Sequence, residues 1–356
     1  MSTGTSVLRG GIMGFGSIGP VHLASVMGSS DDGVKPLDGA RIVAVADLDA
    51  ERRAQVPNGT ARYGHFDALI NDPDVDVVHI CLPHHLHAPA CIAAAERGKH
   101  VICEKPMALD ATEARRMHDA CRANGVTFGL ISQNRFNPEK RWIKDRITSG
   151  QLDGLVRSDF VVDWFRGNDY YAEHDGWRGR EACARGGALT NQAYHTLDLV
   201  LWLVQRPVVA VCATAKTRKD IHPDIEVADT LSGWLRFDQG AEAKFFVTTC
   251  GDPSDSIRIA LATDGANPHR VVVDGNRILE QTLEPDAPVF PEDGFAGLGK
   301  ACYGMSHQRN IAVIYEAIRR GTTPSIHAED GIRTLEVIDA ILASNGREIS
   351  LVSGEW

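Results

Sequence analysis

The sequence predicts an α/β protein with an N-terminal doubly wound (Rossmann) domain and a C-terminal α+β domain that holds a large, mostly antiparallel open sheet. Three observations support this. The chain has 356 residues, more than one hydrophobic core usually organises. Short apolar runs alternate with helical segments up to about residue 135, and longer strands of period two follow. We therefore predict a first domain at residues 1–135 and a second at 136–356.

The first domain contains short, nearly continuous apolar runs, which are typical of parallel strands covered on both faces. Helical segments begin near Pro20, His87 and Asp110. The predicted strands span residues 7–14, 41–47, 75–82, 100–103 and 126–131.

The second domain begins with a helical segment that ends near Gly150. The runs at 155–165 and 241–249 alternate apolar and polar residues, which is typical of antiparallel strands with one covered face. A helix is predicted at 189–204, short strands and turns at 252–303, and helices at 307–320 and 329–344.

Composition limits the classes of partner. Lys and Arg total 37 against 47 Asp and Glu, a formal charge of −10, and no segment forms a basic face, so we expect no nucleic-acid partner. No signal peptide or membrane-spanning run is visible, so we expect a cytoplasmic protein without a membrane partner. The eight cysteines form no C-x-x-C pair, which favours reduced thiols over disulfides or zinc ligands.

A glycine-rich turn follows the first strand. Gly14, Gly16 and Gly19 match G-x-G-x-x-G around Ser17 and Ile18, immediately before Pro20. The first glycine permits the tight turn, the second lets the backbone approach a pyrophosphate, and the third allows close packing of helix on strand. The helix N-terminus adds amides for an anion, so the turn predicts a dinucleotide site.

An acidic residue, Asp47, ends the second predicted strand, where its carboxylate can accept hydrogen bonds from the adenosine ribose. It lies further from the glycines than usual, and the polar stretch at 29–39 accounts for the difference as an insertion. A carboxylate repels a 2′-phosphate, so NAD is favoured over NADP. Arg52 and Arg53 nearby keep NADP open.

The third and fourth strands both end in chemically active residues. Ligands of doubly wound folds bind at the carboxyl ends of the strands, so these residues are candidates for the cofactor site. They are Leu82, Pro83, His84 and His87 after the third strand, and Glu104 and Lys105 after the fourth.

Four motifs together resemble the glucose-fructose oxidoreductase/inositol dehydrogenase (Gfo/Idh/MocA) family. They are the glycine turn, L-P-H-H-L-H at 82–87, E-K-P at 104–106 and G-G-A-L-T-N-Q-A-Y-H-T-L-D at 186–198. The resemblance implies an NAD(P)-dependent oxidoreductase. It also implies that hydride passes between the cofactor and a secondary alcohol or ketone of a sugar, glycoside or cyclitol.

The resemblance also implies two catalytic roles. Lys105 would bind the reacting oxygen near the nicotinamide, and His195 would act as the general acid/base. Chemistry agrees, because histidine titrates near neutrality and a lysine cation stabilises developing alkoxide charge. We expect the two side chains to meet in the cleft between the domains.

Three further residues are substrate candidates. Many relatives carry aspartate where this chain has Asn191, four residues before His195 and therefore expected on the same face of the predicted helix. A carboxylate–histidine dyad is thus in doubt, and Asn191 could instead hydrogen-bond the substrate or orient His195. Trp177 and Arg178 resemble a segment near the substrate pocket of parts of the family. An aromatic face beside a guanidinium suits a polyhydroxylated ring, although core packing explains Trp177 equally well.

Four clustered histidines, His79, His84, His85 and His87, could suggest a metal site. Adjacent residues on a strand and turn rarely converge on one ion, and no cysteine or carboxylate stands at a recognised spacing, so we expect no metal.

Two alternative functions remain open. One is an NAD(P)H-dependent reductase of a keto-sugar, which could be nucleotide-linked. The other is a non-catalytic sensor that binds a dinucleotide; the presence of both Lys105 and His195 weighs against it. The apolar residues of the second-domain strands predict a homo-oligomer, a dimer or a tetramer, if helices leave one sheet face uncovered.

Overall fold

The computed structural model describes residues 7–31, 33–251, 255–286, 288–290 and 305–351. The chain divides into two compact units. The first comprises Met1–Ala108, Thr112–Phe136 and Glu292–Ile332, and the second comprises Leu109–Ala111, Asn137–Pro291 and Arg333–Trp356. After the second unit begins, the chain therefore returns to the first.

The first unit is built on a six-stranded sheet in the order β3-β2-β1-β4-β5-β6, with parallel pairing throughout. This is the strand order of a doubly wound dinucleotide fold. The strands are β1 (Leu8–Met13), β2 (Ala40–Ala46), β3 (Ala61–Tyr63), β4 (Val77–Ile80), β5 (His100–Cys103) and β6 (Phe128–Leu130).

Five helices belong to the N-terminal part of the chain: α1 (Gly19–Met27), α2 (Ala50–Ala54), α3 (Phe66–Ile70), α4 (His87–Glu96) and α5 (Ala111–Ala123). Short 3-10 turns occur at His84–Leu86 and Gln133–Phe136. The five predicted strands are confirmed, although β4 and β6 are shorter than expected. The sequence did not indicate β3, whose three residues are all only partly buried or exposed and form no apolar run.

A helix from near the C-terminus completes the core of the first unit. In α11 (Ser306–Arg320), Ile311, Ile314 and Tyr315 are fully buried and join the cluster that contains Ile12 of β1 and Ile102 of β5. The predicted helix at 307–320 is confirmed, and its apolar face covers the parallel sheet.

The second unit is built on an open eight-stranded sheet in the order β13-β12-β11-β7-β10-β9-β8-β14. Only the β7–β10 pair is parallel. The strands are β7 (Leu155–Asp163), β8 (Val208–Lys216), β9 (Thr230–Phe237), β10 (Glu242–Thr248), β11 (Ser256–Thr263), β12 (Arg270–Asp274), β13 (Arg277–Gln281) and β14 (Ile349–Ser350). The predicted mostly antiparallel sheet is confirmed.

Alternation along β10 explains how this sheet acquires a core face. Ala243, Phe245 and Val247 are buried, whereas Lys244 and Phe246 point to the opposite, exposed face. The described part of the 252–303 segment contains β11, β12 and β13, as predicted; residues 252–254, 287 and 291–304 lie outside the described residues.

Helices of the second half are α6 (Pro138–Thr148), α7 (Asn168–Ala172), α8 (Glu181–Ala184), α9 (Ala188–Asn191), α10 (Tyr194–Val204) and α12 (Ala328–Ser344), with 3-10 turns at His174–Gly179 and Asp238–Gly240. The single helix predicted at 189–204 is wrong, because α9 and α10 are separate. The N–H groups of Gln192 and Ala193 both bond to the carbonyl of Ala188, so the helical register breaks there.

Seven cysteines lie among the described residues and all are free; Cys302 lies outside them. Within the described part of the chain, every helix is too short or too polar to cross a bilayer.

Candidate active site

The glycine turn lies between β1 and α1. Gly14 has φ of +90°, and a Cβ built there would lie 2.4 Å from the carbonyl oxygen of Cys81. A Cβ at Gly19 would lie 2.4 Å from the carbonyl oxygen of Gly14. At Gly16 the nearest atom to a built Cβ is an Arg52 nitrogen at 3.7 Å. Packing therefore requires glycine at the first and third positions, whereas the second leaves space beside the backbone.

The start of α1 is suited to an anion. Ile18 occupies the N-cap position and makes no side-chain capping hydrogen bond, and Pro20 lies in the first turn. Ser17 and Ile18 together form the loop that leads to Gly19. Helix amides not capped by a side chain, together with the positive end of the dipole, fit a pyrophosphate.

Asp47 connects the end of β2 to the glycine turn. Its Oδ2 accepts a hydrogen bond of 2.6 Å from the backbone N–H of Phe15, and its Oδ1 accepts one of 2.8 Å from Asp49. The side chain is only 8% exposed. Each carboxylate oxygen has a second lone pair, so Asp47 can still accept hydrogen bonds from ribose hydroxyls.

The two arginines after Asp47 occupy different positions. Arg53 donates to the backbone carbonyls of Asp47 and Leu48, at 2.6 and 3.0 Å. Arg52 lies with Nη1 3.8 Å from Asp47 Oδ2, on the side of Gly16. A negative and a positive charge therefore stand next to each other where the adenosine ribose is expected.

His87 links the turns after β4 and β5. Its Nε2 lies 2.8 Å from the carbonyl oxygen of Leu82 and its Nδ1 lies 2.8 Å from that of Pro106. Burial lowers the pKa of His87, although these carbonyls partly oppose the effect. His84 is buried in the turn after Pro83, with its ring 5.8 Å from the His87 ring. The predicted residues of these two turns therefore lie together at neighbouring strand ends.

Glu104, the residue before Lys105, is buried and lies next to two histidine rings. Its Oε1 lies 3.0 Å from His22 Nε2 and 3.7 Å from His307 Nε2, and its Oε2 accepts a hydrogen bond from the backbone N–H of Lys105. Burial alone would raise the pKa of Glu104, but hydrogen bonds from His22 and His307 hold it well below its ordinary value. Glu104 is thus an ionised anchor for the E-K-P turn.

A one-directional chain of hydrogen bonds extends from this carboxylate. Since Glu104 must accept, His22 Nε2 donates to it, and burial lowers the pKa of His22, which leaves Nδ1 as an acceptor. His79 Nδ1 then donates to it at 2.9 Å, and His79 Nε2 accepts from the Tyr315 hydroxyl at 2.9 Å. Burial also holds the pKa of His79 well below its ordinary value, as this neutral arrangement requires. Sequence reasoning did not indicate this chain, whose members are distant in the sequence.

The second unit contains Asn191 and His195. Asn191 ends α9, which follows Gly187 at φ +50°, and His195 lies in the first turn of α10. The expectation that the two side chains share one helical face is wrong, because the break after Asn191 removes the regular four-residue spacing. Lys105 belongs to the first unit and His195 to the second, so their joint action stays a prediction.

An arginine–aromatic cluster surrounds Tyr170, also in the second unit. Arg178 lies 4.7 Å from the centre of the Tyr170 ring and 5.2 Å from that of Trp177. Arg166 lies 5.7 Å from the Tyr170 ring, and the Tyr170 hydroxyl accepts a hydrogen bond of 2.9 Å from Gln192. The predicted pair Trp177–Arg178 is therefore part of a larger group. Sequence reasoning missed Arg166, Tyr170 and Gln192, of which only Gln192, next to Asn191, lay in a motif.

The clustered histidines have separate partners. His79 belongs to the hydrogen-bond chain and His87 to the two carbonyls. Of the described residues, the group whose ligand atoms approach closely enough for a metal is His222, Asp229 and Cys250. There His222 Nδ1 lies 2.9 Å from the Asp229 carboxylate and Nε2 lies 2.6 Å from the Arg166 carbonyl oxygen, so both ring nitrogens already have partners within the protein.

Comparison with known proteins agrees with this arrangement. A family described as the oxidoreductase family with an NAD-binding Rossmann fold matches residues 8–131, and the GFO/IDH/MocA C-terminal domain matches residues 141–275. The chain belongs to the Gfo/Idh/MocA family. The resemblance drawn from the sequence motifs is thereby confirmed.

Two relatives and one solved structure are similar to this chain over almost its whole length. An uncharacterized oxidoreductase, ORF334, of Rhizobium meliloti is 37% identical over 98% of each chain. D-xylose 1-dehydrogenase (NADP(+)) 2 of Haloferax volcanii is 29% identical over 94% of this chain and 96% of its own. The WlbA dehydrogenase of Bordetella pertussis, in complex with NADH and UDP-GlcNAcA, has a TM-score of 0.81 and 27% identity over 98% of this chain and 100% of its own. Relatives of this chain thus include a sugar dehydrogenase named for NADP and a dehydrogenase whose structure contains NADH and UDP-GlcNAcA.

Proposed function

We propose that the protein is an NAD-dependent dehydrogenase that oxidises a secondary alcohol of a sugar, glycoside or cyclitol, and that the reverse reduction uses the same site. One observation carries the cofactor assignment: the Asp47 carboxylate is fixed against the glycine turn while keeping lone pairs for a ribose. The residues present fit a dinucleotide, since Gly16 leaves room beside its backbone and α1 offers its first amides.

The negative charge of Asp47 supports NAD over NADP. Among the relatives, the Haloferax volcanii enzyme is named for NADP and the Bordetella pertussis structure contains NADH. In this chain a 2′-phosphate would meet the carboxylate at the end of β2, while Arg52 alone would favour it.

The catalytic roles follow from the reaction, because oxidation of an alcohol removes a hydride from carbon and a proton from the hydroxyl. A dinucleotide held by the glycine turn and Asp47 would supply the acceptor for the hydride of the carbinol carbon. His195 accepts the hydroxyl proton at an imidazole nitrogen, and the Lys105 ammonium stabilises the developing alkoxide. Asn191 cannot take a proton and hydrogen-bonds a neighbouring hydroxyl, which orients the ring. Glu104, bonded to the Lys105 backbone, fixes the turn that carries the lysine.

The roles are tested by His195→Ala and Lys105→Ala, with the exposed His65→Ala as the matched control. His195→Ala should lower kcat by about 10²- to 10⁴-fold and leave the Kd for NAD within about threefold, since loss of a general base affects the transition state. Lys105→Ala should lower kcat/KM further, because it removes both charge stabilisation and substrate positioning. Unchanged kcat in His195→Ala across the pH range would exclude His195 as the base.

A second candidate is the oxidation or reduction of a nucleotide-linked sugar. It is supported by the similarity to the Bordetella pertussis dehydrogenase with its NADH and UDP-GlcNAcA. A screen of polyols, aldoses, glycosides and nucleotide sugars with NAD and NADP, followed by absorbance of the reduced cofactor, separates the two. Turnover of nucleotide sugars alone would favour the second candidate.

We also propose that the protein forms a homo-oligomer through the outer face of the eight-stranded sheet. Trp234 and Lys244 are cross-strand neighbours on that face, and Phe246 is 39% exposed. Light scattering of wild type and Phe246→Glu tests this proposal: wild type should be a dimer or tetramer and the variant should dissociate. A monomeric wild type at micromolar concentration would reject it.

A further inference from the structure

Arg166 is a buried cation whose hydrogen-bonding capacity is only partly used. It follows β7 and is 9% exposed. Its Nη1 donates to the carbonyl oxygen of Phe165 at 2.7 Å and lies 3.4 Å from Asp255 Oδ2. Nε and Nη2 are buried and have no hydrogen-bond partner among the described residues. Burying a donor of a charged group without a hydrogen-bond partner costs free energy of folding, and such groups are rare in folded proteins.

The two unpartnered nitrogens lie on the same edge of the guanidinium. Nε–H and Nη2–H point in parallel, which is the fork that binds the two oxygens of a carboxylate. The Trp164 ring lies 4.3 Å from the guanidinium carbon and contributes a cation–π contact. This contact helps to hold the guanidinium in place, while Nε and Nη2 keep their donors for a ligand.

The position of Arg166 is also fixed from the backbone. His222 Nε2 donates to the Arg166 carbonyl oxygen, while His222 Nδ1 is held by Asp229. His222 and Asp229 are both fully buried. The fork is thus carried on a rigid support, as a specificity-determining site requires.

A polar acceptor shares the aromatic neighbour Tyr170 with Arg166. Gln192 is 6% exposed and donates from Nε2 to the Tyr170 hydroxyl, while its Oε1 has no hydrogen-bond partner among the described residues. Tyr170 in turn is an aromatic neighbour of both guanidinium groups, those of Arg166 and Arg178. Gln192 immediately follows Asn191 and precedes His195 by three residues, so this cluster adjoins the proposed catalytic segment.

We propose that the substrate is a sugar acid, whose carboxylate binds the Nε–Nη2 edge of Arg166 and one of whose hydroxyls donates to Gln192 Oε1. The proposal rests on the proposed oxidoreductase function and specifies its substrate class. A phosphate could also occupy a guanidinium fork, but the carbonyl oxygen of Gln192 would repel its higher charge. The acids nearby, Asp255 and Glu173, contact the Nη1 atoms of Arg166 and Arg178 and are 40% and 56% exposed. Among the described residues, no carboxylate is hydrogen-bonded to the Nε–Nη2 edge of Arg166.

The test measures binding by calorimetry to the full-length enzyme loaded with NADH. The probes are D-glucuronate and D-galacturonate, the neutral D-glucose and D-galactose, and D-glucose 6-phosphate. In the wild type at least one uronate should bind about 10- to 100-fold more tightly than its neutral counterpart. Arg166→Lys, which keeps the charge but lacks the fork, and Arg166→Gln should remove most of that preference. Arg258→Gln, at an exposed arginine of the same sheet, should retain it.

Three results would overturn the proposal: no preference for the acids in the wild type, a preference that survives Arg166→Lys and Arg166→Gln, or an Arg166-dependent preference for the phosphate. Thermal melting establishes that each variant is folded before binding is compared. Because binding is measured without turnover, failure of the oxidoreductase function is separately visible. In that case a uronate would bind in an Arg166-dependent manner while no probe changed the cofactor absorbance.

Discussion

The backbone N–H of Phe15 donates a 2.6 Å hydrogen bond to Oδ2 of Asp47. This bond joins the second residue of the glycine turn to the end of the neighbouring strand. The residue that we propose to distinguish NAD from NADP therefore also holds the loop expected to bind the pyrophosphate. Changes at Asp47 should affect both the affinity and the selectivity for the cofactor.

Replacing Asp47 with Asn should reduce NAD binding by about tenfold, because hydrogen bonds to a charged acceptor are stronger than those to an amide. NADP should gain relative to NAD, since the repulsion of a 2′-phosphate disappears while Arg52 remains. Calorimetric Kd values for both cofactors give the ratio. Glu51→Gln, a charge change at an exposed residue of α2, is the control and should leave the ratio unchanged. A wild-type enzyme that already prefers NADP would show that Arg52 dominates.

Two glycines of the turn, Gly16 and Gly19, should respond differently to replacement by alanine. Gly16→Ala should keep the melting temperature within a few degrees, because a Cβ there meets nothing closer than 3.7 Å, yet it should weaken NAD binding by obstructing the pyrophosphate. Gly19→Ala should lower the melting temperature, since its Cβ would lie 2.4 Å from a backbone oxygen. Scanning calorimetry and NAD titration of both variants test this difference. Equal destabilisation by the two variants would count against it.

The stability of the first unit should decrease as the pH falls below about 6.5. Burial lowers the pKa values of His22 and His79 in the folded protein, so the unfolded chain takes up protons first. As the pH falls from the unfolded to the folded pKa of each histidine, that histidine should lower the free energy of unfolding by up to about 1.4 kcal/mol per pH unit. The lowered pKa of Glu104 gives stability that is present above about pH 4.5 and is lost at lower pH.

Denaturant unfolding at several pH values between about 7.5 and 5.5 measures this slope. His79→Asn should be less stable at neutral pH but show a smaller slope, because one titrating group is gone. His65→Asn, at a side chain that is 52% exposed, should keep the wild-type slope. An unchanged slope in His79→Asn would mean that other groups control the acid sensitivity.

Replacing Asn191 with Asp should alter the pH profile of kcat/KM and the order of substrate preference while turnover persists. A carboxylate cannot donate the amide hydrogen bond, and its charge would favour a protonated His195. The pH profiles of wild type and variant on the same substrate provide the comparison. Complete loss of activity at all pH values would indicate that Asn191 is essential for the geometry of the site.

The positions of the candidate cofactor residues could be predicted because these residues stand at the ends of recognisable apolar strands. Gly14, Gly16 and Gly19 follow an apolar strand, and Asp47 ends the next, so strand order alone places them at neighbouring strand ends. Lys105 and His195 were identified through the family resemblance, and spacing alone would not have distinguished them from ordinary polar residues.

Other features depend on tertiary contacts that no local pattern encodes. At the helix break after Asn191, two N–H groups share the Ala188 carbonyl, although residues 189–204 contain no glycine or proline that would mark a break. Arg166 and Gln192 are related only through the ring and hydroxyl of Tyr170. For the same reason, the hydrogen-bond chain from Tyr315 to Glu104 became visible only when α11 was placed on the parallel sheet.

The placement of α11 has a consequence for biosynthesis. Ile311, Ile314 and Tyr315 fill the core formed by the N-terminal strands, so a ribosome that has released only the first 136 residues has released a sheet without one of its coverings. The nucleotide-binding unit cannot complete its interior until about residue 320 has emerged, by which time nearly all strands of the second unit are available to pair. The second unit includes β14 and the part of α12 from Arg333 onward, so both units can complete their interiors only late in translation.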